Sequence, residues 1–284
     1  MEEEDIGVAT GGCATVRQSH ASLDDTSGRG LFAVQDAAGG DTVVAEHAFV
    51  AVLGPFGCWE CVCHTCRARE DDDGEELLVC PTCRWAHWCN TACRESDIWH
   101  DSVECAAMEQ LRFWSLETPA RVPLAARLLR RVQRKHDASI PDAQARLAST
   151  LVGSSSDFDH VGRDEEARLV VTLAGLRPGQ EDQALTALAQ VKRNEFRMLD
   201  ERGVVIGSAV FPACARMNHS CRPNVACSTT EDGAGWVLRV EALRDIRAGE
   251  ELLFSYIAQA GDCGTLQKQY LFTCDCGSDT CCCK

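Results

Sequence analysis

Two stretches near the C-terminus set polar residues beside candidate metal ligands. The quartet Asn218-His219-Ser220-Cys221 places a thiol next to an Asn-His pair, and Cys274-x-Cys276-x4-Cys281 closes the chain. Between them lies Tyr256, one of only two tyrosines. Cys221, Cys274, Cys276 and Cys281 supply the four thiolates that a structural zinc ion takes. Cys282 and Cys283 are adjacent alternatives for the last of these.

A second cysteine-rich stretch lies upstream. It reads Cys63-x2-Cys66, Cys80-x2-Cys83, Cys89-x3-Cys93 and His100-x4-Cys105. A C-x2-C pair on a tight turn directs both thiolates at one metal, and residues four apart on a helical turn share a face. Seven cysteines and one histidine suffice for two four-coordinate zinc ions. His87 is an alternative to His100, and Cys58 and Cys61 stand at C-x2-C spacing just before the module. Four of the six tryptophans, Trp59, Trp85, Trp88 and Trp99, fall in or beside it. They serve either as packing mass for a small core or as an aromatic groove. The acidic run Asp71 to Glu76 between the knuckles reads as a solvated loop.

The bulk composition narrows the class. At 284 residues the chain can bury a sizeable core, and 45% hydrophobic with 25% charged residues is ordinary for a globular protein. Its 19 cysteines are clustered, nine between Cys58 and Cys105 and five between Cys274 and Cys283, a pattern of metal binding rather than disulfides. No apolar run is long enough to span a bilayer, and Met-Glu-Glu-Glu-Asp is the opposite of a secretory n-region. An intracellular protein is expected, in nucleus or cytoplasm. The net charge of -15 repels phosphates, which argues against direct DNA binding and suits basic partners.

The elements that must position these residues follow from pattern. Residues 30–34 and 42–45 read as strands, with Ala38-Gly39-Gly40-Asp41 as the turn between them. About 90 residues of helical character follow the cysteine module. Leu124, Leu128, Leu129 and Val132 recur at helical spacing among Arg127, Arg130, Arg131 and Arg134. Pro141-Asp142 opens a further helix, Asp164 caps one, and Leu185, Leu188 and Val191 form a stripe on another. Gly153-Ser154-Ser155-Ser156 reads as a linker. Strand character returns at 204–210, 236–240 and 251–256.

The order of strands, zinc module, helices, strands and terminal cysteines resembles the SET-and-MYND (SMYD-type) protein-lysine methyltransferases. The resemblance covers nearly the whole chain. It implies an α+β fold: a β-rich SET domain with a pseudoknot, interrupted by a MYND zinc finger and a helical insertion, and closed by a zinc-binding post-SET tail. The implied divisions are 1–57 for the N-terminal SET part, 58–105 for the finger, 106–200 for the helical insertion, 201–260 for the C-terminal SET part and 261–284 for the tail. The finger's ligands would interleave, Cys63, Cys66, Cys89 and Cys93 on one zinc, Cys80, Cys83, His100 and Cys105 on the other. A proline-containing peptide is the implied partner there.

The resemblance also implies S-adenosylmethionine as cofactor. Ser27, Gly28, Arg29 and Gly30 would wrap its amino-acid end. Asn194 would hydrogen-bond it, or simply end a helix. Asn218 and His219 would contact it through backbone and side chain, and Phe272 would stack near the adenine. Tyr256 would sit where cofactor and substrate lysine meet, and Tyr270 would line the lysine channel. The implied activity is methylation of histone or non-histone lysines in chromatin regulation, by a monomer. The alternative is an inactive SET-MYND adaptor. The sequence stops at Lys284, whereas better-known members continue into a helical-repeat lobe, so a more open peptide site is expected.

Overall fold

A computed structural model describes residues 14–18, 28–53, 62–66, 76–97, 100–111, 120–133, 142–157, 163–199, 202–232, 235–257, 262–274 and 281. Ser27, Cys58, Trp59, Cys61, Trp99, Cys276, Cys282 and Cys283, and the run 71–75, lie outside these residues.

Alternation of apolar and polar residues builds the strands. β1 (Ala14–Gln18) pairs antiparallel with β2 (Arg29–Ala33). β3 (Thr42–His47) buries Val43, Val44 and Glu46 and pairs with β11 (Trp236–Ala242), which in turn pairs with β10 (Val225–Glu231). The turn at 38–41 therefore does not close a hairpin. The strands on either side of it join different sheets, because each finds its buried partner elsewhere in the chain.

β4 (Val50–Leu53) and β7 (Glu195–Leu199) flank β8 (Val205–Val210) in a second three-stranded sheet. The helical segment thus ends earlier than its division at 200. Its last helix stops at Asn194, and Glu195 turns to extended backbone at φ -76 and ψ 142 to pair with β8. The strand expected at 251–256 is also shorter. Only β12 (Leu253–Phe254) is regular, and it runs parallel to β9 (Asn218–His219). Its flanks bond outward instead: Leu252 N–H donates to Leu31 O, and Ser220 and Asn224 N–H donate to Phe254 O and Leu253 O. Residues 250–254 are therefore held between β2 on one side and 218–224 on the other.

Two large apolar cores result, beside a small third cluster of Ile257, Leu266 and Cys274. One unites β2, β3, β8 and β11 through Leu31, Val44, Phe211, Met217, Leu238, Val240 and Leu252. The other joins the helices α3 (Arg121–Gln133), α5 (Arg163–Ala174) and α6 (Glu181–Asn194) to β4 and to the cysteine module. In it Leu124, Leu128 and Leu188 pack with Trp88, Cys63, Cys80 and Cys83. Trp88 is 2% exposed, so this tryptophan is packing mass. The described residues of the module pack into the helical core and complete it. α5 begins at Arg163, which puts Asp164 in its first turn, not at its cap. There its carboxylate still complements the helix dipole. Gly153 to Ser156 is no slack linker either. Ser155–Asp157 forms a 3-10 turn, and Asp157 pairs with Arg193 at 3.1 Å. No helix of the described residues is long and apolar enough to cross a membrane.

A buried ion pair fastens the two halves of this second core. Arg127 on α3 forks onto Glu104 of α2 (Ser102–Leu111), at 2.7 and 3.0 Å, and donates to Ala51 O on β4 at 2.6 Å. Both side chains are nearly inaccessible, 7% and 4%. Removing one partner strands the other charge in an apolar interior. Arg127→Met should therefore lower stability by about 3–5 kcal/mol in denaturant titration of the metal-loaded protein, with much of the loss recovered by Arg127→Met/Glu104→Leu.

Candidate functional site

The cysteines converge on three groups. Cys63, Cys66, Cys89 and Cys93 present four sulfurs within 4.8 Å of one another, as do the donor atoms of Cys80, Cys83, His100 and Cys105. His219, Cys221 and Cys274 form a third group. Individual separations are 3.5 Å for Cys66–Cys89, 3.4 Å for Cys89–Cys93, 3.7 Å for Cys80–Cys105 and 3.8 Å for Cys221–Cys274. A tetrahedron with metal–sulfur legs of about 2.3 Å has edges of about 3.8 Å, so these donor sets fit zinc. The His100 Nε2 lies 3.3 Å from Cys80 Sγ and 3.7 Å from Cys83 Sγ. His87 instead turns its Nδ1 to Trp85 O at 3.0 Å, so His100 is the histidine of the group.

Local structure favours one thiolate in each of the first two groups, while burial and neighbouring sulfurs push Cys83, Cys89, Cys93 and Cys105 up. Burial pushes the Cys80 thiol up, but backbone N–H groups of Cys83 and Thr82 and the His100 ring outweigh it and hold it at about 6. Cys63 is likewise brought to about 7 by the N–H groups of Cys66, Cys89 and Thr65 against its burial. Asp97 braces the module from within, accepting from Trp88 Nε1 at 2.9 Å and His100 N–H at 3.2 Å.

The third group adjoins the reaction site expected around Tyr256. His219 and Phe254 pair across β9 and β12. Two residues on, Tyr256 N–H donates to His219 Nδ1 at 3.0 Å, and its hydroxyl donates to Met217 O at 2.6 Å. Burial lowers the His219 imidazole to about 4, so the ring is neutral near pH 7. Burial, Tyr270 and Glu251 push the Tyr256 phenol well above its ordinary value, so it stays protonated. Around it stand Tyr270 at 4.6 Å between ring centroids, Phe254 at 4.8 Å, His219 at 5.3 Å and Phe272 at 6.1 Å. Phe196 stacks on Phe254 at 5.7 Å.

A cavity of ≈ 560 Å³ opens beside this cluster, its walls including Asn194, Phe196, Met217, Phe254, Tyr256 and Tyr270. Arg193, Glu195, Arg197 and Asp262 add charges of both signs to its lining. Pockets of this size and mixed character hold organic ligands of a few hundred daltons. Of the residues expected at the cofactor, Asn194 and Tyr256 line this cavity, whereas Gly28, Arg29, Gly30, Asn218, His219 and Phe272 are not part of its lining.

The other site residues fall as follows. Gly28 is buried at φ +33, a backbone conformation natural to glycine. Gly30 is buried and Arg29 exposed at the start of β2. Arg29 O accepts from Asn218 Nδ2 at 3.3 Å, which ties this loop to the quartet. Asn218 Nδ2 also donates to Glu251 at 2.7 Å. Asn194 lines the cavity and ends its helix; its Nδ2 is spent on Val152 O at 2.8 Å and Gln190 O at 2.7 Å. Cys281 packs in the cluster of Tyr256, Tyr270, Phe272 and Cys274, but its sulfur donates to Cys274 O at 3.5 Å and stands outside the third donor group.

Sequence reasoning missed Asn224, Glu46, Phe196 and Phe254. Asn224 donates to Glu250 and to Glu251 O and accepts from Leu253 N–H at 2.7 Å, which fixes the strand leading to Tyr256. Glu46, fully buried, accepts from the N–H groups of Ala213 and Cys214 at 3.0 and 2.8 Å and so anchors the turn entering Met217. The two phenylalanines stood two residues from Asn194 and Tyr256, a signal available in the sequence.

Comparison with known proteins places the chain in a family. The N-lysine methyltransferase SMYD2 of Bos taurus is 31% identical over 263 residues, 88% of this chain and 57% of that protein. The histone-lysine N-methyltransferase Smyd1 of Mus musculus is 30% identical over 275 residues, 88% of this chain and 53% of that one. The chain thus spans a little over half the length of these curated relatives. Rubisco LSMT bound to AdoMet covers 90% of this chain and 51% of its own at 12% identity, with a TM-score of 0.46, too weak a likeness to build on. The SET domain family model matches residues 28–257, from the Gly28 loop to the residue after Tyr256. With that match across both cores and the aromatic site, the chain belongs to the SET-domain family.

Proposed function

We propose that this chain is an S-adenosylmethionine-dependent protein-lysine N-methyltransferase. The observation that carries the reading is the position of the Tyr256 phenol, half-buried among aromatic rings on the wall of the cavity. The relatives' names support it. Asn194, the Gly28–Gly30 loop, the backbone of Asn218 and His219, and Phe272 would hold the cofactor. Two zinc ions would occupy the interleaved groups Cys63/Cys66/Cys89/Cys93 and Cys80/Cys83/His100/Cys105. A third would take Cys221, Cys274, Cys276 and one cysteine at the end of the chain.

When bound, the cofactor would supply a sulfonium methyl to a neutral amine: the N–C bond forms as the C–S bond breaks, the C–S electron pair leaves on sulfur, and the surplus proton passes to water. The rest falls to the chain. An amine of pKa about 10.4 must lose its proton first, at about 4.6 kcal/mol at pH 7. The aromatic channel of Phe254, Tyr256 and Tyr270 lowers that cost by desolvating the ammonium. The phenol and nearby carbonyls orient the lone pair, and positioning supplies much of the rate. The substrate is a basic protein segment, histone or non-histone, to which the acidic chain is electrostatically complementary.

Two measurements test this reading. Titration calorimetry should give saturable S-adenosylmethionine binding, displaced by the demethylated product. The kcat/KM for a lysine peptide should rise from pH 7 to 9, approaching tenfold per pH unit below the amine's pKa. Tyr256 adds no falling limb there, since its phenol is shifted upward. Binding with no turnover at any pH would instead identify an adaptor.

A further inference from the structure

His219 has its ring nitrogen beside two candidate metal sulfurs, yet its other nitrogen decides what that proximity can mean. A backbone amide only donates, so Nδ1, which receives Tyr256 N–H at 3.0 Å, must carry a lone pair. In a neutral imidazole the single proton then resides on Nε2. Nε2 lies 3.4 Å from Cys221 Sγ, within sulfur hydrogen-bond range. Coordination through Nε2 would need a lone pair there. It would move the proton to Nδ1, against the Tyr256 N–H.

We propose that His219 is not a ligand of the tail metal but a positioning residue, joining that site to the catalytic tyrosine through Nε2–H to the Cys221 thiolate and Nδ1 to Tyr256 N–H. The inference rests on the reading of Cys221 and Cys274 as metal donors and of Tyr256 as the reaction-site phenol. The ring is held rigidly for the task. It is 7% exposed, it tilts against Tyr256 at 60° and Phe272 at 57°, and its strand pairs with the one that leads into Tyr256. Occupancy of the tail site and placement of Tyr256 are thereby mechanically coupled.

The coupling makes the two nitrogens separable by mutation. In His219→Asn, the amide oxygen can stand in for Nδ1 while the donor to Cys221 is lost. In His219→Gln, the longer amide reproduces the donor and loses the acceptor for Tyr256. Losing an outer hydrogen bond to a metal ligand typically costs 10–100-fold in metal affinity.

The first test needs no variant and no turnover. Long-range 15N–1H correlation on the uniformly labelled, zinc-loaded chain reports the tautomer of each of its eight histidines. The proposal expects His219 protonated at Nε2, with an unprotonated, hydrogen-bonded Nδ1. A proton at Nδ1 with a metal-shifted Nε2 would overturn it. Chelator competition then compares the variants. His219→Asn should release one zinc equivalent about 10–100-fold more readily, with full zinc content at saturation. His219→Gln should hold zinc near the wild-type level and lower kcat without raising KM. Loss of one zinc equivalent from both variants at saturating zinc, or identical behaviour of the two, would contradict the assignment. Failure of methyl transfer in the wild type would leave the tautomer and zinc results standing, so the two readings fail separately.

Discussion

Tyr256→Phe should lower methyl transfer by about 10²–10³-fold while S-adenosylmethionine affinity changes only a few-fold. The hydroxyl is one oxygen on a ring otherwise packed against Tyr270, Phe254, His219 and Phe272, so phenylalanine keeps the box and removes only the polar atom. That atom is fixed by its bond to Met217 O and stays protonated because burial opposes ionisation. A preorganised polar group at a reacting centre is worth about 2.7–4 kcal/mol of barrier, which sets the magnitude. Stability should fall too, by about 1–3 kcal/mol, since Met217 O loses its donor. Steady-state kinetics beside calorimetric cofactor binding separate the two effects. Equal losses in binding and turnover would mean that the hydroxyl holds the ground state and contributes nothing special at the transition state.

Removing zinc should have the larger structural effect. Cys63, Cys80 and Cys83 lie inside the core that Leu124, Leu128 and Leu188 form with Trp88, so the first two sites are not appendages. Apparent binding energies of about 10–16 kcal/mol for structural zinc in small fingers show how much folding free energy such sites carry. Chelation at neutral pH should lower Tm by more than about 10 °C and abolish transfer, because α3 and β4 lose part of their packing surface. Cys66→Ser should do much of this alone, whereas Cys227→Ala, on β10 and outside every donor group, should leave zinc content unchanged. A chelated protein with unaltered melting would mean that the sulfurs pack as plain thiols. Metal analysis alongside calorimetric melting gives the answer.

Legibility from sequence followed the range of the interactions. Metal ligands announce themselves by local spacing, and the pairs 63/66, 80/83 and 89/93 converge as the spacing implied. Cys221 was legible by its pairing with the terminal cysteines, whereas Tyr256, Asn218 and His219 were singled out by the family resemblance. What joins them was not. Glu46 reaches the N–H of Cys214 across 168 residues, and Arg127 reaches Ala51 across 76. Neither bond leaves a pattern in a window of helix or strand length. Among the arginines interleaved with leucines on α3, periodicity does not single out the one that turns inward to Glu104. β7 fell within the helical division because the stripe of Leu185, Leu188 and Val191 runs up to it, and only pairing with β8 marks where the helix gives way to strand. The dual bonding of His219 was also hidden, since it needs the fold to bring Tyr256 N–H and Cys221 to opposite ends of one ring.

The central claim is tested most directly by incubating the zinc-loaded chain with methyl-labelled S-adenosylmethionine and either core histones or a whole-cell lysate, then hydrolysing the proteins and identifying the labelled amino acid. The account predicts label recovered as methyllysine, saturable in cofactor and nearly absent with folded Tyr256→Phe. Full zinc content and saturable cofactor binding with no label on lysine in either substrate set would contradict it.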